Sequence, residues 1–115
     1  MPNSLKKKRA RAFETQNGRC YYCGVRMWLD SPRDLCREHR LSENAASLVS
    51  CTAEHLIAKV DGGTDCRKNI AAACWFCNQA RHRRKRALDP VQFRVHVRKR
   101  LGAKRWHQRT LRSLF

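Results

Sequence analysis

Apolar positions along this chain come in short runs, which predicts many small elements rather than a few long ones. From Leu5 to Gln16 the spacing suits an amphipathic helix, with Phe13 as its core anchor and Lys6 to Arg9 turned to solvent or phosphate. Asn3 or Ser4 suits the start, and Gly18 suits the left-handed position past the end. Val25 to Leu29 predicts a short strand, and Asp30-Ser31-Pro32 signals the start of a charged helix over Arg33 to Ala46. Leu48 to Glu54 alternates and predicts a strand, followed by a second extended or loop segment over Leu56 to Val60. Asp61-Gly62-Gly63-Thr64 is a turn signal. Arg67 to Ala73 opens with a short helical turn, and Cys77 to Leu88 reads as a helix ended by Asp89-Pro90. In the next segment Val91, Phe93, Val95, Val97 and Leu101 fit helix and strand patterns equally. Length and the Pro90 start favour a helix, stopped at Gly102. The pattern leaves the order of the basic tail, 103–115, open.

A chain of 115 residues bounds a single domain with a thin core. The expected organisation is a basic N-terminal helix over 1–18, a core over 19–88 with a helical insertion at about 31–46, and a basic extension over 89–115. Small domains commonly add a metal or disulfides to close the stability gap. The net charge of +17 says nothing of fold but points to a polyanionic partner. No apolar run approaches the roughly 18–20 residues of a membrane-spanning helix. The first residues, MPNSLKKKRARAF, carry charge but no apolar stretch of the secretory kind, so a cytoplasmic, reducing compartment is expected.

In that compartment paired cysteines read as metal ligands rather than disulfides. Cys20/Cys23 and Cys74/Cys77 form two C-x-x-C pairs, the ligand set of a closed tetrahedral zinc site. Gly24, after the second cysteine, lets the backbone fold over a metal. A redox pair would need a βαβ context, which the pattern lacks. Cys36, Cys51 and Cys66 stand apart, as buried small hydrophobes or free surface thiols.

The segment over 52–82, TAEHLIAKVDGGTDCRKNIAAACWFCNQARH, concentrates the remaining chemistry. Glu54-His55, Gly62-Gly63, Asn69 and Cys74-x-x-Cys77-Asn78 occur in an order that resembles the signature of the HNH endonuclease family. The resemblance covers the Cys20 knuckle and then roughly residues 50 to 86. It implies a small α+β fold with a ββα-metal, treble-clef-like core: a two-stranded hairpin on a helix with one divalent ion between them. Cysteine pairs are a common addition in bacterial members, and additional basic helices complete the chain.

Phosphodiester hydrolysis needs a nucleophile, charge neutralisation on phosphoryl oxygens and help for the leaving oxygen. His55 suits a general base, because neutral imidazole exists near pH 7. The resemblance implies that His55 activates water, that Glu54 and Asn78 hold the ion, and that 5′-phosphate products result. It also implies that Asn69 hydrogen-bonds backbone to keep the His55 loop in shape. Glu54 stands where the family more often has Asp, one methylene shorter. Adjacent strand residues point to opposite faces, so Glu54 and His55 need a bend or strand end to share a site. Asn78 also sits where a helix begins, which makes capping its competing role. His82, four residues on, shares its helical face and reads as a third ligand or a phosphate contact. Oxygen donors suit magnesium or manganese, and a His82 nitrogen shifts the choice towards nickel or zinc. His39, His96 and His107 lack neighbours at ligand spacing and read as surface or phosphate-proximal residues.

Arg81, Arg83, Arg84, Lys85 and Arg86 extend the candidate site, and Arg98 and Arg100 continue the charge. They predict a phosphate track for DNA, with RNA as the alternative substrate. The rival readings are a non-catalytic zinc module that binds nucleic acid and a component of a larger assembly with phage or host proteins. By analogy with the family, a bacterial or phage-encoded, nucleoid-associated nuclease is the expectation.

Overall fold

A two-stranded antiparallel hairpin, β1 (Cys51–His55) and β2 (Ile70–Cys74), carries the fold, and a helix follows it directly. The protein is represented by a computed structural model that describes residues 3–115. Residues 1 and 2 of the expected N-terminal segment lie outside the described residues. The helices are α1 (Asn3–Thr15), α2 (Arg33–His39), α3 (Glu43–Ser47), α4 (Trp75–Arg83) and α5 (Pro90–Gly102). Short 3-10 turns occupy Lys59–Asp61, Arg67–Asn69 and Arg109–Leu114. The result is a small α+β protein of ββα arrangement, as the resemblance implied.

The strands sit elsewhere than their pattern suggested. β1 starts at Cys51 rather than Leu48, Leu56 to Val60 takes its loop alternative, and the second strand is Ile-Ala-Ala-Ala-Cys. Alanines favour helix in isolation. Here the register from Cys51↔Cys74 to His55↔Ile70 and full burial of β2 override that preference. Small side chains also let α1 and α4 approach, and both pack on the hairpin. Val25 to Leu29 forms isolated bridges, Arg19↔Arg26 and Trp28↔Ser50, instead of a strand.

The helix expected over Arg33 to Ala46 is broken. Arg40 takes a left-handed φ of 53°, and Ser42 restarts the chain by accepting from the Ala45 amide. α4 starts at Trp75 and ends at Arg83, short of Leu88. α5 runs as expected, with Asp89 accepting from the Gln92 amide and Pro90 in the first turn. The tail is ordered: Leu111 and Leu114 are buried, and the Leu114 carbonyl accepts from the Arg26 amide and Arg19 Nη1.

The core gathers Tyr22, Val25, Val49, Phe93, Val97 and Leu111 around the paired cysteines. Tyr22 meets Phe93 edge-on with ring centroids 4.9 Å apart. Among the described residues no helix is long and apolar enough to cross a membrane.

Candidate active site

Cys20, Cys23, Cys74 and Cys77 meet at the base of the hairpin, all buried, with their sulfurs within 4.8 Å of one another. The first pair lies on the knuckle before Gly24, whose φ of 80° turns the chain back, and the second joins β2 to α4. Backbone amides point at the sulfurs: Tyr22 and Cys74 donate to Cys20 Sγ, Val25 to Cys23 Sγ and Cys77 to Cys74 Sγ. Burial pushes the Cys74 and Cys77 thiols well up. Burial also opposes ionisation of Cys23, but hydrogen bonds from its neighbours, His107 included, bring that thiol down. Four buried sulfurs at this spacing, with amide donors around them, suit a structural zinc ion. Of the other three cysteines, Cys51 is buried, Cys36 half-buried and Cys66 exposed. Burial pushes the Cys51 thiol up to about 12.

Two tail residues close the cluster from outside. Trp106 donates Nε1–H to Cys77 Sγ at 3.2 Å, and His107 Nε2 lies 3.2 Å from Cys23 Sγ. His107 is therefore a half-buried partner of the cysteine cluster rather than a free surface residue. Hydrogen bonds to thiolates need no ligand spacing, so its sequence context carried no signal.

The hairpin and α4 meet in a two-rung ladder. Asn78 donates Nδ2–H to Thr52 Oγ1 at 2.9 Å, and His82 Nε2 lies 2.8 Å from Glu54 Oε1. The rungs match because two strand residues rise about 6.7 Å and four helical residues about 6 Å. Glu54 is almost completely buried, at 1 % exposure. Its Oε2 accepts from Tyr22 Oη at 2.9 Å and Arg81 Nη1 at 3.2 Å. Burial, then the Glu54 charge, raises the Tyr22 phenol and keeps it a donor. Asn78 spends its amide hydrogens on Thr52 and the Ala53 carbonyl, and its Oδ1 has no hydrogen-bond partner among the described residues. A carboxylate oxygen, an imidazole nitrogen and an amide oxygen are thus collected along one strand–helix seam.

His55 is held separately, at the end of β1. Its Nε2 lies 2.7 Å from Asp65 Oδ1, and no hydrogen bond joins its ring to Glu54, Asn78 or His82. The His55 hydrogen bond, with help from Lys59, holds the Asp65 carboxyl below its ordinary value. Asp65 had no distinguishing mark in the sequence, since a lone carboxylate after a turn is commonplace. Asn69 ties the intervening loop: Oδ1 accepts from the Ile57 amide at 2.7 Å, and Nδ2 donates to the Ile57 and Thr64 carbonyls. Gly62 adopts a φ of 90°, and a Cβ on Gly63 would lie 1.7 Å from the Ile57 carbonyl oxygen. The Gly62-Gly63 pair is therefore sterically required where the loop folds back on itself.

Arg81 departs from expectation. It does not face nucleic acid; it is buried, with its side chain 4 % exposed. Its guanidinium donates to Glu54, to Tyr22 Oη and to the carbonyls of His55, Leu56 and Leu88. The physical reason is helical phase: Arg81 follows Cys77 by four residues, so it shares that residue's buried face.

A family model described as HNH endonuclease matches residues 35–84, the span that holds the hairpin, its loop and α4. This segment of the chain belongs to the HNH family. Neither a curated protein nor a solved structure matches the chain. Within the HNH segment, Arg83 ends α4, and Arg84, Lys85 and Arg86 follow it off the helix, all exposed. With His82 and the loop at 58–61, the last three line a cavity of about 520 Å³. Beyond the HNH segment, Arg98 spends its Nε–H on the Tyr22 carbonyl, and Arg100 is exposed.

Proposed function

We propose that this protein is a metal-dependent endonuclease that hydrolyses DNA phosphodiester bonds. In this reading His55 is the general base, and Glu54, Asn78 and His82 hold one divalent ion, magnesium, manganese or nickel. When bound, such an ion polarises the scissile phosphate and stabilises the departing 3′ oxygen. The observation that carries the reading is the ladder that brings Glu54 and His82 to 2.8 Å with Asn78 Oδ1 left without a partner one turn away. A module that only binds nucleic acid has no need of a buried carboxylate matched to a helical imidazole.

The residues divide the work as follows. Arg81 and Tyr22 fix one oxygen of Glu54, which leaves the other to His82 or to a cation. Asp65 orients the His55 ring, so that Nδ1 is the nitrogen available to take a proton from water. Asn69 keeps the loop that carries Asp65 at its working distance from β1. The cavity lined by His82, Arg84, Lys85 and Arg86, whose three cations outweigh its one carboxylate, Asp61, receives the phosphate, and Arg83, Arg98 and Arg100 add to the field that attracts the strand. A zinc ion held by Cys20, Cys23, Cys74 and Cys77 would clamp the knuckle to the β2–α4 junction. The tail packs on that junction, which supports reading the described residues as one working unit. Cytoplasmic action on nucleoid DNA fits such a nuclease in a bacterial or phage-encoded setting.

Supercoiled plasmid, linear DNA and RNA, each incubated with magnesium, manganese or nickel, test the reading. Wild-type protein is expected to nick plasmid. His55→Ala is expected to lose roughly 10²–10⁴ of that rate while binding DNA as before. Undiminished nicking by His55→Ala removes His55 from its role, and cleavage of RNA alone reassigns the substrate. Wild-type binding without cleavage under every ion favours the non-catalytic module.

A further inference from the structure

A second cationic cavity, of about 380 Å³, opens between α1 and the turn that leads into β2. Lys8 and Arg11 reach it from α1, one helical turn apart, and Arg67 and Lys68 from the 3-10 turn. No carboxylate lines it. Among the described residues none of these four cations enters an ion pair. Like charges gathered around one cavity repel one another, and here the protein supplies no counter-charge to offset them. A polyanion seated in the cavity would supply that counter-charge.

The position of the cavity gives it a use. Leu56, next to His55, and Ile70, the strand partner of His55, both line it. Lys8 donates to the carbonyl of Asp65, whose carboxylate holds the His55 ring. The cavity with Arg84 to Arg86 touches the middle of the same loop, at Ala58, Val60 and Asp61, and reaches His82 on α4. The loop that follows the candidate general base therefore borders two cavities rich in cations, built from elements far apart in the chain.

We propose that the α1 cavity is a second phosphate-backbone site, which seats duplex DNA beside His55 through Lys8, Arg11, Arg67 and Lys68. The site rests on the nuclease reading for its substrate but not on catalysis. It adds α1 and the turn before β2 to a surface otherwise confined to α4 and the residues after it. Backbone contacts at two places fix the direction in which a strand crosses the end of β1 without reading its sequence.

The test is the salt dependence of binding to a short DNA duplex. Full-length, zinc-loaded His55→Ala protein without added divalent ion serves as parent, so that cleavage does not interfere. Each phosphate contact removed from a duplex lowers the slope of log affinity against log salt by about 0.9. Arg11→Gln/Arg67→Gln is expected to lower the slope by about 1.8 and to weaken binding on the order of tenfold or more near physiological salt. Lys68→Gln alone, at an exposed position, is expected to lower it by about 0.9 and serves if the double variant misfolds. Slopes equal to the parent's, in variants with unchanged zinc content and circular dichroism, overturn the proposal. A parent that does not bind duplex, or an effect confined to RNA, overturns it too. Reduced slopes in a protein whose wild-type form cleaves no substrate leave this site standing and refute the nuclease reading instead.

Discussion

Arg81→Met removes one guanidinium and exposes how much of the site leans on it. Five acceptors lose a donor: Glu54 Oε2, Tyr22 Oη and the carbonyls of His55, Leu56 and Leu88. The ion pair is enclosed, with side-chain exposures of 4 % for Arg81 and 1 % for Glu54. Breaking such a pair from one side leaves a buried charge without its partner, at a cost of about 3–5 kcal/mol. Whole domains are stable by only about 5–15 kcal/mol. At about 4 °C per kcal/mol for a chain of this size, Tm should fall by roughly 12–20 °C. Adding Glu54→Gln to Arg81→Met removes the orphaned charge, so the double variant should be less destabilised than the sum of the two singles. The assay is thermal unfolding of zinc-loaded protein by circular dichroism, with urea titrations for the cycle. A Tm for Arg81→Met within about 3 °C of wild type, or strictly additive losses, refutes the reasoning.

Further outcomes can be checked in the same preparations. Cys74→Ser, or a strong zinc chelator, should unfold or loosen the whole domain, because all four sulfurs lie in the core; the readout is loss of the cooperative melt. Trp106→Phe/His107→Ala should keep the fold but release zinc to a chromogenic chelator on the order of 10–100 times more readily, since both donors to the thiolates are gone. Asn69→Ala removes three hydrogen bonds across the 57–64 loop, worth about 2–4 kcal/mol together, and should speed amide exchange at Ile57 while exchange in β2 changes less.

The parts of this architecture that were legible in the sequence are those set by local chemistry. The two cysteine pairs, the Gly62-Gly63 turn and the Asp89-Pro90 helix start each have a spacing or a φ requirement that few other arrangements satisfy. The order of Glu54-His55, Asn69 and Cys77-Asn78 pointed to the family that matches over 35–84. What escaped was set by tertiary contact. An alanine-rich run became β2 because β1 and two helices enclose it. Arg81 resembled its exposed neighbours Arg83 and Arg84, although the four-residue step from buried Cys77 was a usable signal that it turns inward. Asp65 and His107 find their partners across turns and across the whole chain, ten and 84 positions away. Side-chain pairs at such separations leave no periodic trace.

In the proposed reading, these contacts let adjacent residues on a strand serve one site. Glu54 turns towards α4 and is neutralised by Arg81, while His55 is anchored by Asp65 on the following loop. Arg81 bridges the two, with one nitrogen on the Glu54 carboxylate and on the His55 carbonyl. The buried arginine thereby sets the strand end that the alternation rule makes necessary.

The central claim is that Glu54, Asn78 and His82 form one cation site distinct from the zinc clamp. Titration of manganese into the zinc-loaded protein, followed by electron paramagnetic resonance of the free ion, tests it most directly. One added ion per chain should bind to wild type and to His55→Ala, and that binding should weaken at least tenfold in both Glu54→Gln and His82→Ala. Wild-type protein that takes up no manganese, or variants that bind it as tightly as wild type, would contradict the account.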